Sequence, residues 1–412
     1  MSSPRAVDDD DAESRLSVGE EVLGSLLEAS HGLHPDDLAA VVVDHAARLG
    51  ATDAVIYLVD HEQSMLVPLP TRPGEVAGDG LEIDTTLAGR VYRTQEVAYG
   101  DAEGGVRLWL PLLDGSERLG VLAATLRSVD PVVERRVRWL TSLVAELLMT
   151  KHAYGDAFVW ARRRRDMSLA AEMRWMVLPP LSFTSSSVEI AAVLEPAYEV
   201  AGDSFDYAVD DGVAHLAIFD AMGHGLEAAR MANLAVGAYR HGRRRQCGLV
   251  DMFASVDAAI RSQFGVDHFV TGQLAILDLA TGALDVVNGG HPRPLLLRGT
   301  AILRECASAV SPPMGLGSSP TVTRVQLEPE DRVVFYTDGV VEARSPTGEE
   351  FGVERLGDLL SRAAASRELP AEMMRRLTHS LLAHEAGRLR DDATLLLVGW
   401  KGPAGRATAV EE

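Results

Sequence analysis

The sequence predicts an α/β (α+β) chain: an N-terminal sheet-and-helix domain, a helical linker, and a C-terminal β-sandwich flanked by helices. Three observations predict it. Helix and strand patterns alternate from about Val18 to Ser128. Near-heptad apolar spacing runs from Pro131 to Leu178. Short apolar runs joined by tight turns then fill about Val188 to Trp400. With 412 residues, 47% hydrophobic and 24% charged, the chain is long enough for two or three domains and can bury a core.

In order, residues 1–15 hold four consecutive aspartates and few large apolar side chains, which predicts a disordered acidic tail. Over 16–130 the pattern gives a helix near Pro35–Leu49 and a strand in "DAVIYLV". A short helix in "TTLAGRVYRTQ" follows, then strands in "VRLWLPLL" and "RLGVLAATL" across the turn "DGSE". This order resembles a GAF sensory domain, a sheet flanked by helices that often holds a small ligand. The segment lacks a cysteine for a covalent bilin and lacks the NKFDE-type motif of cyclic-nucleotide-binding members. A GAF-like domain with a small-molecule ligand and one serving only as scaffold both fit.

Residues 131–180 read as a helical linker. Val137, Leu140, Val144, Leu147, Tyr154 and Phe158 keep near-heptad spacing, and the pattern resumes out of phase at Leu169, Met173 and Met176. Pro179-Pro180 ends it. A coiled coil in a homodimer is one reading; an amphipathic helix packed on its own domain is the other. From 181 to 400 the strands run pairwise through turns such as "DLATGAL", with helices expected near 226–240 and 250–263 and two more after "TDG". Residues 401–412 read as a flexible tail.

The net charge of −21 (39 Lys+Arg against 60 Asp+Glu) excludes nucleic acid as the main partner, since phosphate would be repelled over most of the surface. The basic runs Arg162–Arg165 and Arg243–Arg245 read as solvated helix faces or as docking points for an acidic partner. No run reaches the ~18 apolar residues of a membrane span, and the first residues show no signal-peptide apolar region, so a cytoplasmic protein away from the membrane is expected. Cys247 and Cys306 are too few for a disulfide scaffold or a cysteine-rich zinc site.

Four acids share one setting, beside an apolar strand-like run and next to a turn or small residue. They are Asp203 in "VAGDSFD", Asp220 in "IFDAMGHG", Asp338 in "VVFYTDGVVEA" and Asp391 in "RDDATLLLV". Taken singly, Asp220 could cap the following helix, and Asp338-Gly339 or Asp203–Asp206 could be turns. Asp391-Asp392 could begin a strand or lie in a solvated loop. Taken together, converging carboxylates repel each other unless cations neutralise them, and hard oxygen donors suit Mg²⁺ or Mn²⁺ rather than zinc.

In order along the chain stand "AAEMRWMVLPP", "EPAYEVAGDSFDY", "IFDAMGHGLEAA", "FVTGQLAILDLATGALDVVNGGHPRPLLL", "PPMGL", "VVFYTDGVVEARSPTGEEFG" and "DDATLLLV". This series, about Ala170 to Trp400, resembles the PPM-type (2C-like) serine/threonine phosphatases of the bacterial SpoIIE-like, RsbU-like branch. The resemblance implies a two-ion Mn²⁺ or Mg²⁺ centre with Asp203, Asp220, the Ala221 carbonyl, Asp338 and Asp391 as its residues. Asp206 and Asp392 would then stand behind the ligands, with His224, Gly225, Asn288, Gly289, His291 and Glu342 in structural or positioning roles. Departures from the family pattern at Ala201, Met222, Gly289-Gly290 and Met314 remove no carboxylate.

The resemblance further implies attack of an activated water on phosphoserine or phosphothreonine, with a phosphorylated anti-sigma-factor antagonist as substrate; the near-heptad pattern and the domain order suggest that the N-terminal domain and helix 131–178 control it. The alternative is a catalytically silent signalling scaffold that binds an antagonist or kinase partner. There is no P-loop and no Cys-x5-Arg loop.

Overall fold

The computed structural model describes residues 8–72, 78–199, 201–306, 309–387 and 389–403, which fall into two compact units, Met1–Arg165 and Asp166–Glu412. Each unit folds around its own sheets.

The first unit is one antiparallel sheet of β1 (Ala51–Val59), β2 (Met65–Pro68), β3 (Leu81–Glu82), β4 (Ala98–Ala102), β5 (Gly105–Asp114) and β6 (Glu117–Leu126), in the order β3-β2-β1-β6-β5-β4. Against one face lie α1 (Asp8–Ser30), α2 (Leu38–Arg48) and α4 (Pro131–Lys151), sharing a core with Ile56, Leu58, Leu110 and Leu122. Against the other lies α3 (Leu87–Thr94), packing Val91 and Tyr92 with Val59 and Val121. Adjacent residues such as Leu58 and Val59 thus serve opposite faces, as the two-residue period of a strand requires. Thr86 caps α3 through the Gly89 N–H at 3.0 Å, and Asp130 caps α4 through the Val132 and Val133 N–H groups.

Two expectations change here. The tail predicted as disordered over 1–15 is helical from Asp8, where α1 begins. Residues 1–7, and 404–412 of the predicted flexible tail, lie outside the described residues.

The stretch 131–178 is not one rod. After α4 the chain turns through an extended Gly155 into α5 (Ala157–Arg162), and α6 (Leu169–Trp175) already belongs to the second unit. Val137, Leu140, Val144 and Leu147 are buried in the first unit's own core, together with Phe158. Those five positions of the pattern are thus spent on the domain's own core, whereas Tyr154, Leu169 and Met176 are exposed. Of the basic run, Arg162 Nε donates to the Val59 carbonyl and Arg165 pairs with Glu62, so these arginines fold back onto their own unit.

The second unit is a four-layer sandwich. One sheet contains β9 (Ala201–Asp210), β10 (Val213–His224), β11 (Val270–Asp278), β12 (Ala283–Gly289), β15 (Val310–Ser311) and β16 (Thr323–Gln326). The other is ordered β14-β13-β17-β18-β8-β7, built from β7 (Ser182–Thr184), β8 (Val188–Glu195), β13 (Leu295–Arg298), β14 (Ala301–Glu305), β17 (Arg332–Tyr336) and β18 (Ala393–Trp400). Phe205, Leu216, Ile218, Phe335, Leu396 and Val398 fill the space between them. Helices α7 (Gly225–Arg244) and α8 (Leu249–Phe264) cover the first sheet through Phe219, Tyr239 and Phe253. Helices α9 (Asp338–Val341), α10 (Gly352–Ala365) and α11 (Pro370–His384) cover the second through Val334, Leu360 and Leu377. Every residue of β18 is buried, Leu396 toward the other sheet and Leu397 toward the helices, which explains its unbroken apolar run.

Phe205 is fully buried between the sheets. Phe205→Ala is expected to destabilise the second unit by about 3–5 kcal/mol and lower its melting temperature by roughly 10 °C, followed by circular dichroism.

Candidate active site

Asp203 lies on β9, which the sequence pattern had left open as a surface turn. It stands directly across from Asp220 on β10. Phe205 and Tyr207 follow Asp203 on its face, and Ile218 and Leu216 precede Asp220 on its face, all within the core between the sheets. Both carboxylates therefore enter the end of the sandwich, and Asp203 is almost completely buried. The cap reading of Asp220 does not hold, because α7 begins only at Gly225.

The other sheet meets them there. Tyr336 and Leu395 are the last paired residues of β17 and β18, and the chain then presents Thr337-Asp338 on one strand and Asp391–Thr394 on the other. Thr337 Oγ1 and Thr394 Oγ1 both donate to Asp203 Oδ2 at 2.7 Å, and the Asp203 N–H donates to Asp392 Oδ2 at 3.2 Å. Asp392 in turn receives Arg174 Nη1 at 3.3 Å. Asp391 is exposed, and its Oδ1 accepts the Asp392 N–H.

Two glycines make the close approaches. A Cβ on Gly202 would sit 2.0 Å from the Ala221 carbonyl oxygen, and one on Gly339 would sit 1.8 Å from the Asp392 carbonyl oxygen. The glycines flanking His224 work differently. Gly223 and Gly225 have φ of +92° and +74° with open space at the Cβ position, so they shape the turn rather than admit a close neighbour.

The electrostatics are those of crowded acids. Burial first, then the Asp220 and Asp392 charges, push Asp203 well above the usual carboxylate range, against the pull of its two threonine hydroxyls. Asp220 is pushed up to about 7 by burial and by Asp338, Asp391 and Asp392. Asp338 is raised by burial and Asp391. Like charges directly opposite across a strand pair destabilise it, and carboxylates with one carbonyl form a hard donor set. Asp203, Asp220, Asp338, Asp391 and the Ala221 carbonyl thus suit a divalent cation such as Mg²⁺ or Mn²⁺. Among the described residues, no three His, Cys, Asp or Glu side chains converge closely enough to hold an ion by themselves.

Supporting groups escaped the sequence reading, although each lies in a motif it quotes. Thr337 and Thr394 were detectable as polar residues adjoining apolar strands. Thr271 Oγ1 lies 3.5 Å from Asp220 Oδ2 and 3.0 Å from His291 Nδ1. Burial lowers His291 to about 3, so its ring is neutral. Thr271 thus bridges Asp220 and the neutral ring. Asn288 fixes His291 by bonding both its N–H and its carbonyl.

Asp206 is a correction. Three residues beyond Asp203, it faces the helix side of the sheet, where Arg240 Nη2 and Arg243 Nη1 reach it at 2.7 and 3.0 Å. It anchors α7 instead of standing behind the acids, and it engages one arginine of the run Arg243–Arg245.

Residues 210–401 match the family model described as Stage II sporulation protein E (SpoIIE), a little under half the chain. This segment is similar to the SpoIIE family of PP2C-type phosphatase domains. The matched SpoIIE segment includes Asp220, Ala221, Asp338 and Asp391 and begins beyond Asp203.

The chain is 25% identical to Protein IcfG of Synechocystis sp. over 51% of its length and 37% of that protein's. It is also 25% identical to the phosphoserine phosphatase RsbP of Bacillus subtilis, over 58% of each. The alignments thus span between a third and three-fifths of these relatives. The crystal structure of the RsbU and RsbW domains of Rv1364c from Mycobacterium tuberculosis shares 26% identity over 53% of this chain and 63% of that one, with a TM-score of 0.48. Among the described residues no helix is long and apolar enough to cross a membrane.

Two expectations follow. Asp220 is raised in the folded state, so the folded chain holds more protons than the unfolded one between the ordinary carboxylate range and about pH 7. Its contribution to metal-free stability is therefore lost as pH rises through that window. The melting temperature in EDTA should fall from pH 5 to pH 8, and Mn²⁺ should abolish the decline; a flat profile in EDTA would contradict it. Separately, Thr337→Val or Thr394→Val, each removing a hydroxyl from Asp203, should weaken Mn²⁺ binding about 10–100-fold by calorimetry.

Proposed function

We propose that the chain is a metal-dependent protein phosphatase acting on phosphoserine or phosphothreonine, with a phosphorylated anti-sigma-factor antagonist as substrate and the N-terminal unit as its regulator. The observation that carries this reading is the meeting of Asp203 and Asp220 from one sheet with Asp338 and Asp391 from the other at one end of the sandwich. We assign Asp203, Asp220, the Ala221 carbonyl, Asp338 and Asp391 as the residues that hold two Mn²⁺ or Mg²⁺ ions. Similarity to the phosphoserine phosphatase RsbP supports the reaction class. The antagonist as substrate rests on the motif resemblance.

When bound, a pair of divalent cations supplies charge stabilisation to phosphoryl oxygens and makes water more acidic. The chain's own residues do the rest. Thr337 and Thr394 fix one oxygen of Asp203, while Thr271, backed by His291, orients Asp220. The turn through Gly223 and Gly225 leaves Met222 and His224 exposed beside the acids, where a protein substrate can approach.

The N-terminal unit is read as GAF-like and sensory. An antiparallel sheet with helices on both faces supports this. A cytoplasmic location rests on composition alone.

The test is hydrolysis of p-nitrophenyl phosphate and of a phosphoserine peptide by the full-length chain, with Mn²⁺, Mg²⁺ or EDTA. Activity is expected only with metal, and Asp220→Asn or Asp338→Asn should lower it on the order of 100-fold. No turnover with either metal would favour the silent scaffold.

A further inference from the structure

One buried charge near the acids lies outside the segment that carries the family match. Arg174, on α6, is only 1% exposed. Its guanidinium sends Nη1 to Asp392 Oδ2 at 3.3 Å and Nη2 to the Pro196 carbonyl at 2.5 Å. The same Asp392 oxygen accepts the Asp203 N–H. A cation leaves water only at high cost unless it is paired and hydrogen-bonded, and here the pairing ends one hydrogen bond from Asp203.

The surroundings of α6 repeat the theme. Trp175 Nε1 donates to the Ala197 carbonyl at 2.9 Å, and the Ser168 N–H donates to the Tyr198 carbonyl at 3.1 Å. Both acceptors lie in the lead-in to β9 and Asp203. On its other side, Asn233 and Arg240 of α7 donate to the Met173 and Val177 carbonyls at 2.9 and 2.5 Å. So α6 is fastened both to the segment that delivers Asp203 and to the helix that follows Asp220.

We propose that Arg174 is a positioning residue of the metal site: through Asp392 it sets where β9 presents Asp203, and so ties the placement of α6 to the site's affinity for a divalent cation. The inference rests on the metal-dependent reading above. It is distinct from a charge effect, which has the opposite sign. A cation beside crowded acids repels metal, so removing it for charge alone would tighten binding. Removing it as a positioning group loosens binding.

The experiment measures Mn²⁺ affinity of the full-length chain from the electron paramagnetic resonance signal of free Mn²⁺, with metal-free melting temperature alongside. The variants are Arg174→Met, Asp392→Asn and the two combined. Arg174→Met is expected to weaken Mn²⁺ binding about 10-fold. The double variant should match Asp392→Asn within about twofold, because a neutral acceptor no longer needs the guanidinium. Tighter or unchanged binding in Arg174→Met would overturn the proposal, as would losses that simply add. If Arg174→Met does not fold, Arg174→Gln takes its place, and the same two comparisons decide. A wild-type chain that binds no Mn²⁺ would overturn the metal reading and this inference with it, whereas normal wild-type binding with an indifferent Arg174 variant would overturn the inference alone.

Discussion

The carboxylate of Asp203 is the point on which the second unit's site depends. It sits on one sheet of the sandwich and accepts two threonine hydroxyls from the other, while its own N–H reaches Asp392. A buried carboxylate is unfavourable unless such donors surround it, so these bonds hold the sheet ends together and aim the acid in one step. Because β9 pairs with β10 in register, fixing Asp203 also fixes Asp220 opposite. The remaining acids follow from β17 and β18, whose ends supply the same two threonines.

The site that results has a surplus of negative charge. Asp203, Asp220 and Asp338 all hold their protons more tightly than ordinary carboxylates, and in each the neighbouring acids add to the effect of burial. Arg174 answers only part of that charge, through Asp392. Gly202 and Gly339 let the chain pass the Ala221 and Asp392 carbonyls more closely than any side chain would permit. Such a cluster at the end of an otherwise apolar sandwich is electrostatically suited to a cation.

The two arginine runs and the helical stretch between the units show how local pattern and packing part company. Arg243 and Arg165 close ion pairs within their own units, and Asp206 serves α7 rather than the acids. The apolar stripe of α4 is spent on its own domain, where the sheet of the first unit offers a face that must be covered. Heptad spacing describes a stripe and not its occupant; the nearest apolar surface decides that.

By itself, the sequence determined the strands with clear alternation or unbroken apolar runs, the helices around Gly225, Leu249, Gly352 and Pro370, and the shared strand-end setting of the four acids. Each of those is a short-range signal, carried by periodicity, glycine and proline punctuation, or motif order. It did not separate Asp206 from Asp392, since both adjoin a named acid. Strand alternation turns Asp206 toward α7, while the end of β18 leaves Asp392 against Arg174 and Asp203. Nor did it reveal β9 as a strand or join Thr337, Thr394 and Arg174 to a residue far away in the chain. Those contacts exist only once two sheets have packed face to face, because the hydrogen bonds that unite them close across the sandwich and leave no periodicity behind.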